Sequence, residues 1–321
     1  MNQFTNLEYL DCSYNYDPGQ GKKLGTLEVF GCPKLTELIC TNNDLSELDV
    51  SSSAVLKKLD CAANKLESVD VEGARRLTDL VCYNNQLTEL NVNDCSGLIT
   101  LICSNNRLET LDVSDCTELN FLNCGENNLT ALDVSSCTEL TELWCVANEG
   151  IGSLDVSSCT GLTELYCSGT GLDTLDVSAC TGLKNLECGD NNLNELDVSM
   201  CSGLAGLVCP HNRISELAIS GCDGLVELRK TGTQYGPSKF LDFYSFSDNV
   251  NYNLSYDLTV NLITGEEVPV DDRHFPDEKF RAIVSEKYDT NKDYLLNMDE
   301  IDSVTSMILN EEDISKLNGI E

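Results

Sequence analysis

Near the C-terminal end of this 321-residue chain runs a series of oxygen donors, DTNKDYLLNMDE. Asp289, Asn291, Asp293, the Leu295 carbonyl, Asn297 through water and a bidentate Glu300 stand at the spacing that wraps a calcium ion. Tyr294 occupies the position where such a loop turns most sharply and normally has glycine. A non-glycine residue costs ~1 kcal/mol or more there. The stretch therefore reads either as a calcium site, which makes calcium the one candidate cofactor, or as a degenerate loop kept as a structural cap.

Cysteine is the second chemically able set, with 18 residues. All fall on two spacings. Ten occupy L-x-C, from Cys12 to Cys209, and eight lie three residues before the preceding Leu, from Cys32 to Cys222. No C-x-x-C occurs, and a metal site has no reason to recur at every step. Ser53 and Ala74 stand at the second spacing in place of Cys. Small packing sites accept that exchange, whereas a disulfide would lose a partner. The columns thus read as stacked, buried thiols, which suits a reducing or anaerobic habitat.

Catalysis has little to draw on. The only histidines, His211 and His274, are far apart in the chain and read as surface residues, and no phosphate loop or nucleophile motif is present. An aspartate recurs in L-D-V-S at 49, 112, 133, 155, 176 and 197, with Asp70 in V-D-V-E. These carboxylates read as acceptors for turn N–H groups or as a weak cation-collecting row. With 54 acidic against 20 basic residues the formal charge is −34, which disfavours nucleic acid and anionic lipid as partners. No apolar run approaches the ~18–20 residues of a membrane helix, so membrane insertion is not expected.

What positions these residues is a repeat. L-x-x-L-x-C begins at Leu7, Leu35, Leu56, Leu77, Leu98, Leu119, Leu140, Leu162, Leu183 and Leu204, and again at Leu225 with Lys230 in the Cys place. From Leu35 the step is 21 residues, with one step of 22 between Leu140 and Leu162. The longer first step carries YDPGQGK, a loop by composition. Each unit continues to an Asn and another Leu, as in Leu98, Leu101, Cys103, Asn106, Leu108. Alternation in L-x-C puts Leu and Cys on one face of a short strand. The Asn amide is placed to satisfy backbone groups of neighbouring coils where the chain leaves the strand. Leu-Asp-Val-Ser alternates as well and is poor helix material, so a second strand ladder is expected on the opposite side.

Over about residues 4–233 the sequence resembles the leucine-rich repeat family, with Cys in the third leucine position. The short period resembles bacterial surface-protein repeats and, more distantly, internalins. The expected fold is a mainly β solenoid of about 11 coils with two parallel strand ladders, a β cap and a small C-terminal α-helical cap. Domain boundaries are read as 1–233 for the solenoid, 234–272 for the β capping segment and 273–321 for a helix-loop-helix cap. In the second of these Leu254, Tyr256, Leu258, Val260 and Leu262 alternate, with a turn at Thr264-Gly265. The cap resembles an EF-hand or dockerin-type half-site around Asp289–Glu300. Its last residues, DISKLNGIE, start a new leucine-rich pattern, so the chain reads as a piece of a longer array, or as one able to stack head to tail on another copy.

The outward residues of the strands complete the reading. Val81, Ile102, Trp144 and Tyr166 lie between Leu and Cys, with Tyr83, Phe121 and Val146 at neighbouring outward positions. Trp144 is the only Trp of the chain. Such a face is either a ligand-binding patch or ordinary β-strand composition. The resemblance implies a non-enzymatic extracellular or cell-surface module that binds a protein or glycan through this face. Its alternatives are a structural spacer with calcium-stabilised caps, or a targeting arm of a larger secreted enzyme.

Overall fold

The computed structural model describes residues 4–222 apart from 18–21, 30–31, 51–52, 72–73, 210, 215 and 220. It also describes the backbone of four short strands further on, Leu241–Asp242, Asn261–Ile263, Glu267–Pro269 and Leu295–Asn297. The described residues form a parallel β-solenoid, and none of them is helical. Each of the ten L-x-C units contributes one strand to an 11-stranded parallel sheet running in sequence order from Tyr9–Asp11 to Gly206–Val208. The eleventh place is taken by Leu241–Asp242, paired Leu207↔Leu241. The unit expected at Leu225–Lys230 lies outside the described residues.

Register follows from the repeat. Leu101 pairs with Leu80 on one side and Leu122 on the other, so every inward Leu stacks on its equivalents. From Glu37–Ile39 to Gly206–Val208 the strands of this sheet bury their central Leu and leave both flanking residues partly exposed, as Glu142–Trp144 and Glu164–Tyr166 do. Leu, Cys and Val columns make one continuous core in which nearly every side chain is sealed from solvent. Each such Leu contributes roughly 1.5–3 kcal/mol.

Past each strand the chain turns sharply. The residue two after the L-x-C cysteine has a positive φ in ten successive coils, 51° to 66°, from Tyr14 to His211. That left-handed step aims the next side chain, usually Asn, back beneath the strand. Asn106 shows the pattern: its amide donates to the carbonyls of Cys82 at 3.1 Å and Cys103 at 3.0 Å, and accepts the Leu87 N–H at 3.0 Å. The Asn column therefore stitches each coil to its predecessor, as its spacing predicts.

The second ladder is only partly formed. Regular pairing on that side joins Glu195–Asp197, Glu216–Ala218 and Asn261–Ile263, with one bridge between Asp49 and Asp70. Between these the expected strands are absent, although Leu and Val of L-D-V-S are buried. Local side-chain bonds run along the paired and the unpaired stretches alike. Asp112, Asp133, Asp155, Asp176 and Asp197 each accept the N–H two residues on at 2.9 Å. The second cysteine column supplies donors to the carbonyls: Cys137 Sγ reaches the Val113 oxygen, and Cys180 Sγ the Val156 oxygen, both at 3.7 Å. These thiols bond weakly to the coil behind them as well as filling space.

The helix-loop-helix cap expected at 273–321 and the turn at Thr264-Gly265 lie outside the described residues, apart from Leu295–Asn297. That strand pairs antiparallel with Glu267–Pro269. Asn261–Ile263 extends the second sheet. In the long first step, Tyr16–Asp17 and Lys22–Lys23 pair antiparallel around the expected loop.

Candidate functional site

Two rows of side chains rise from the front sheet. The row before each inward Leu includes Asp79, Thr100, Phe121, Glu142, Glu164 and Asn185; the row after it includes Val81, Ile102, Asn123, Trp144, Tyr166 and Glu187. Strict register sets Trp144 beside Tyr166, and Val81 beside Ile102. Asn123 separates the two apolar pairs.

Phe121, Trp144 and Tyr166 make one aromatic cluster. Phe121 meets Trp144 edge-on, with centroids 5.6 Å apart and planes at 77°; Trp144 and Tyr166 are 4.9 Å apart and tilted by 59°. Both geometries are favourable for aromatic pairs. The rings screen one another, so all three are half-buried instead of fully exposed. The Trp144 indole N–H is buried without an acceptor among the described residues. Val146 packs over Gly125: a Cβ on that glycine would lie 2.8 Å from Val146 Cγ2. Tyr83 is the most exposed of the expected site residues, at 37%. It stands in the same row as Val146, three coils away. The face thus holds an aromatic centre, a separate Val81–Ile102 pair and an outlying Tyr83.

Carboxylates frame the aromatic centre, and the outward apolar residues alone do not reveal them. The Tyr166 hydroxyl donates to Glu164 Oε2 at 3.1 Å, and Asn185 Nδ2 donates to Glu164 Oε1 at 3.3 Å. Burial, the bond to Glu164 and the negative charges of Glu164, Glu187 and Glu142 push the Tyr166 hydroxyl up to about 12. Burial also raises the Glu187 carboxyl. In the sequence these carboxylates are Glu142 and Glu164 in the row before Leu and Glu187 of the following coil, a pattern that only the register singles out.

Other chemistry is sparse. His211 Nδ1 lies 2.7 Å from Asp190 Oδ1 on the exposed turn, two residues past the strand cysteines. The repeating aspartates serve turn N–H groups, and no three His, Cys, Asp or Glu side chains are grouped to hold a metal among the described residues. Of the residues expected to ligate calcium, Asp289, Asn291, Asp293 and Glu300 lie outside the described residues. Leu295 and Asn297 belong to a described strand. Both cysteine columns are buried except for half-buried Cys12 and Cys32, and no disulfide joins the described cysteines.

No protein-family model matches the chain, and no curated protein matches it. Among solved structures it is similar to the functional domain of InlJ from Listeria monocytogenes, which includes a cysteine ladder. Identity is 36% over 68% of this chain and 47% of that one, with a TM-score of 0.65, so the chain spans about half the length of that relative. The PEPR1–AtPEP1 structure matches with 22% identity over 67% of this chain and 36% of that one, at a TM-score of 0.54, and agrees in fold. The leucine-rich repeat protein LIC12759 of Leptospira interrogans is 19% identical over 68% of this chain and 74% of that one, at a TM-score of 0.47. The repeat pattern, the parallel solenoid and the likeness to InlJ agree on a leucine-rich repeat fold.

Proposed function

We propose that the chain is a non-enzymatic interaction module, extracellular or on a cell surface, that binds a protein or glycan through the strand face from Val81 to Tyr166. One observation carries this reading: Phe121, Trp144 and Tyr166 form a contiguous aromatic cluster on the outer face of a rigid sheet. Large aromatic side chains held on a regular scaffold give contact area at little entropic cost, which is how binding hot spots are built. Likeness to InlJ and the scarcity of catalytic groups support it.

The test is Trp144→Ala and Tyr166→Ala in the full chain, screened against host and bacterial surface proteins and glycans. A partner of the parent protein should lose at least about tenfold in affinity to each variant. Unchanged binding by both would remove the strand face from the site.

A second reading, a spacer whose ends are stiffened by calcium, draws on the donor pattern Asp289–Glu300. Calorimetric titration with calcium and melting with and without the ion decide it. Heat of binding and a raised Tm are expected, and neither would appear if the loop were only a structural cap.

A further inference from the structure

The geometry points to a partner of a particular chemistry at the strand face: a protein segment that inserts an arginine, or less favourably a lysine, between the aromatic cluster and its carboxylate frame. This rests on the strand face being the binding surface and adds what that surface selects.

Three observations lead there. The tilted pair Trp144–Tyr166 occupies neighbouring strands, with Phe121 against the Trp edge. Aromatic rings attract cations over their faces, and Trp does so best. Register sets Glu187 beside Tyr166 and Glu142 beside Glu164, whose Oε2 accepts the Tyr166 hydroxyl at 3.1 Å. None of the three carboxylates takes part in an ion pair among the described residues.

The outward rows also lack internal cations. Between Lys58, which pairs with Glu37 at 3.4 Å, and Val208, the residues flanking each inward Leu include no Lys or Arg. Lys184 precedes the strand Asn185–Glu187, is exposed, and makes no ion pair among the described residues. The face thus combines aromatic rings with unneutralised carboxylates. A neutral sugar would use the rings but leave the charges unanswered. A guanidinium answers both, because its plane stacks on aromatic faces while its fork donates to carboxylates.

The experiment uses the full chain and a short arginine-bearing peptide, Gly-Arg-Gly-Arg-Gly, beside the same peptide with citrulline at both arginines. Citrulline keeps the shape and hydrogen-bonding head and removes the charge. Trp144, the only Trp, reports binding at this face by its own fluorescence. At physiological ionic strength the arginine peptide should shift that fluorescence saturably and bind about tenfold or more tighter than the citrulline peptide. The double variant Glu142→Gln, Glu187→Gln should lose most of that preference. It leaves the Glu164 bonds to Tyr166 and Asn185 in place. A control variant, Glu47→Gln with Glu67→Gln, removes as much charge outside the strands and should bind as the parent does.

Equal binding of the two peptides, binding without a change in Trp fluorescence, or equal losses in the two double variants would each overturn the proposal. So would preferential saturation by a neutral oligosaccharide. If the cation preference fails while Trp144→Ala still abolishes binding of a screened partner, the strand face stands and only its selectivity is wrong. If both fail, the face is not the site.

Discussion

Truncating Asn191 should damage the solenoid more than truncating any other member of the Asn column described in full. In an ordinary coil such as that of Asn127, the side chain accepts one buried N–H, from Leu108 at 3.0 Å. It donates to the carbonyls of Cys103, Cys124 and Gly125. Those three oxygens keep other donors when Asn127 is removed: the amides of Asn106 and Asn148 and the N–H of Asn105. Asn127→Ala thus orphans one N–H and thins three shared bonds. At ~1–3 kcal/mol for the orphan and roughly 0.5 for each shared bond, it costs about 3 kcal/mol. At Asn191 the side-chain oxygen accepts two backbone N–H groups, from Thr170 at 3.1 Å and Leu172 at 3.0 Å, because Thr170 replaces the Asn of the coil before. Its donor bonds are backed up as usual, by Thr170, Asn212 and the Gly169 N–H. One further orphaned N–H brings Asn191→Ala to ~1–3 kcal/mol beyond Asn127→Ala. The assay is equilibrium urea unfolding of the full chain, followed by circular dichroism and by Trp144 fluorescence, with Asn128→Ala on the exposed surface as a control within about 0.5 kcal/mol of parent. An Asn191→Ala no costlier than Asn127→Ala would refute this hydrogen-bond assignment.

Other consequences are open to measurement. Ala63 and Ala147 sit at φ 52° and 53°, a conformation Asn tolerates better, so Ala63→Asn and Ala147→Asn should each raise stability by up to ~1 kcal/mol in urea unfolding. Burial holds the Cys103, Cys145 and Cys209 thiols at about 12 against an ordinary 9.0, so the unfolded chain loses these protons first. Stability is then intact below about pH 9 and falls by ~1.4 kcal/mol per pH unit for each thiol between about 9 and 12, or ~4 kcal/mol per pH unit for the three together, giving a steep alkaline unfolding by circular dichroism. Titration with a thiol reagent should find close to 18 reactive groups on the unfolded chain and fast reaction of only Cys12 and Cys32 on the folded one; a large shortfall in the unfolded count would mean disulfides.

Repetition is why the architecture was legible. Each Leu of L-x-x-L-x-C has one neighbour above and one below at a fixed spacing, so its burial and register follow from period alone. The Asn column follows because a turning backbone needs donors and acceptors that water cannot supply in the core. The second ladder is shorter than the Leu-Asp-Val-Ser pattern suggests, because alternation reports which side chains are buried, not which backbone groups pair. There, Asp side chains hold turn N–H groups and thiols reach the carbonyls. The left-handed column had only a faint signal. Asn42, Asn84 and Asn105 mark it, but Ala63, Glu126, Ala147 and His211 adopt the same φ under the constraint of the stack. At the candidate site the aromatic residues stood out by type. Their carboxylate frame did not, because Glu is frequent in so acidic a chain and gains meaning only when register sets it beside Tyr166.

From Leu35 to Leu204 the one change of period falls in the coil that carries Trp144, beside that of Tyr166. The single 22-residue step inserts a residue after Asn148, within the coil of Trp144. The next coil adjusts to it. Thr170 stands where Asn would, fully buried, with its hydroxyl on the Cys167 carbonyl at 2.6 Å. Gly171 follows at φ 74°, where a Cβ would lie 2.6 Å from the Glu149 carbonyl oxygen. Gly150 is as tightly held, since a Cβ there would come within 2.9 Å of the Leu129 oxygen. Insertion, glycine pair and Thr exchange therefore form one matched defect, in which the Asn191 side-chain oxygen takes two backbone N–H groups. A stack of identical coils has no packing reason to include it. Local rules in folded proteins are most often broken where function has displaced stability. The same two coils place Trp144 against Tyr166. An irregular turn on one end of each coil and an aromatic pair on its strand are separate features of the chain, and their coincidence fits the strand-face site proposed above.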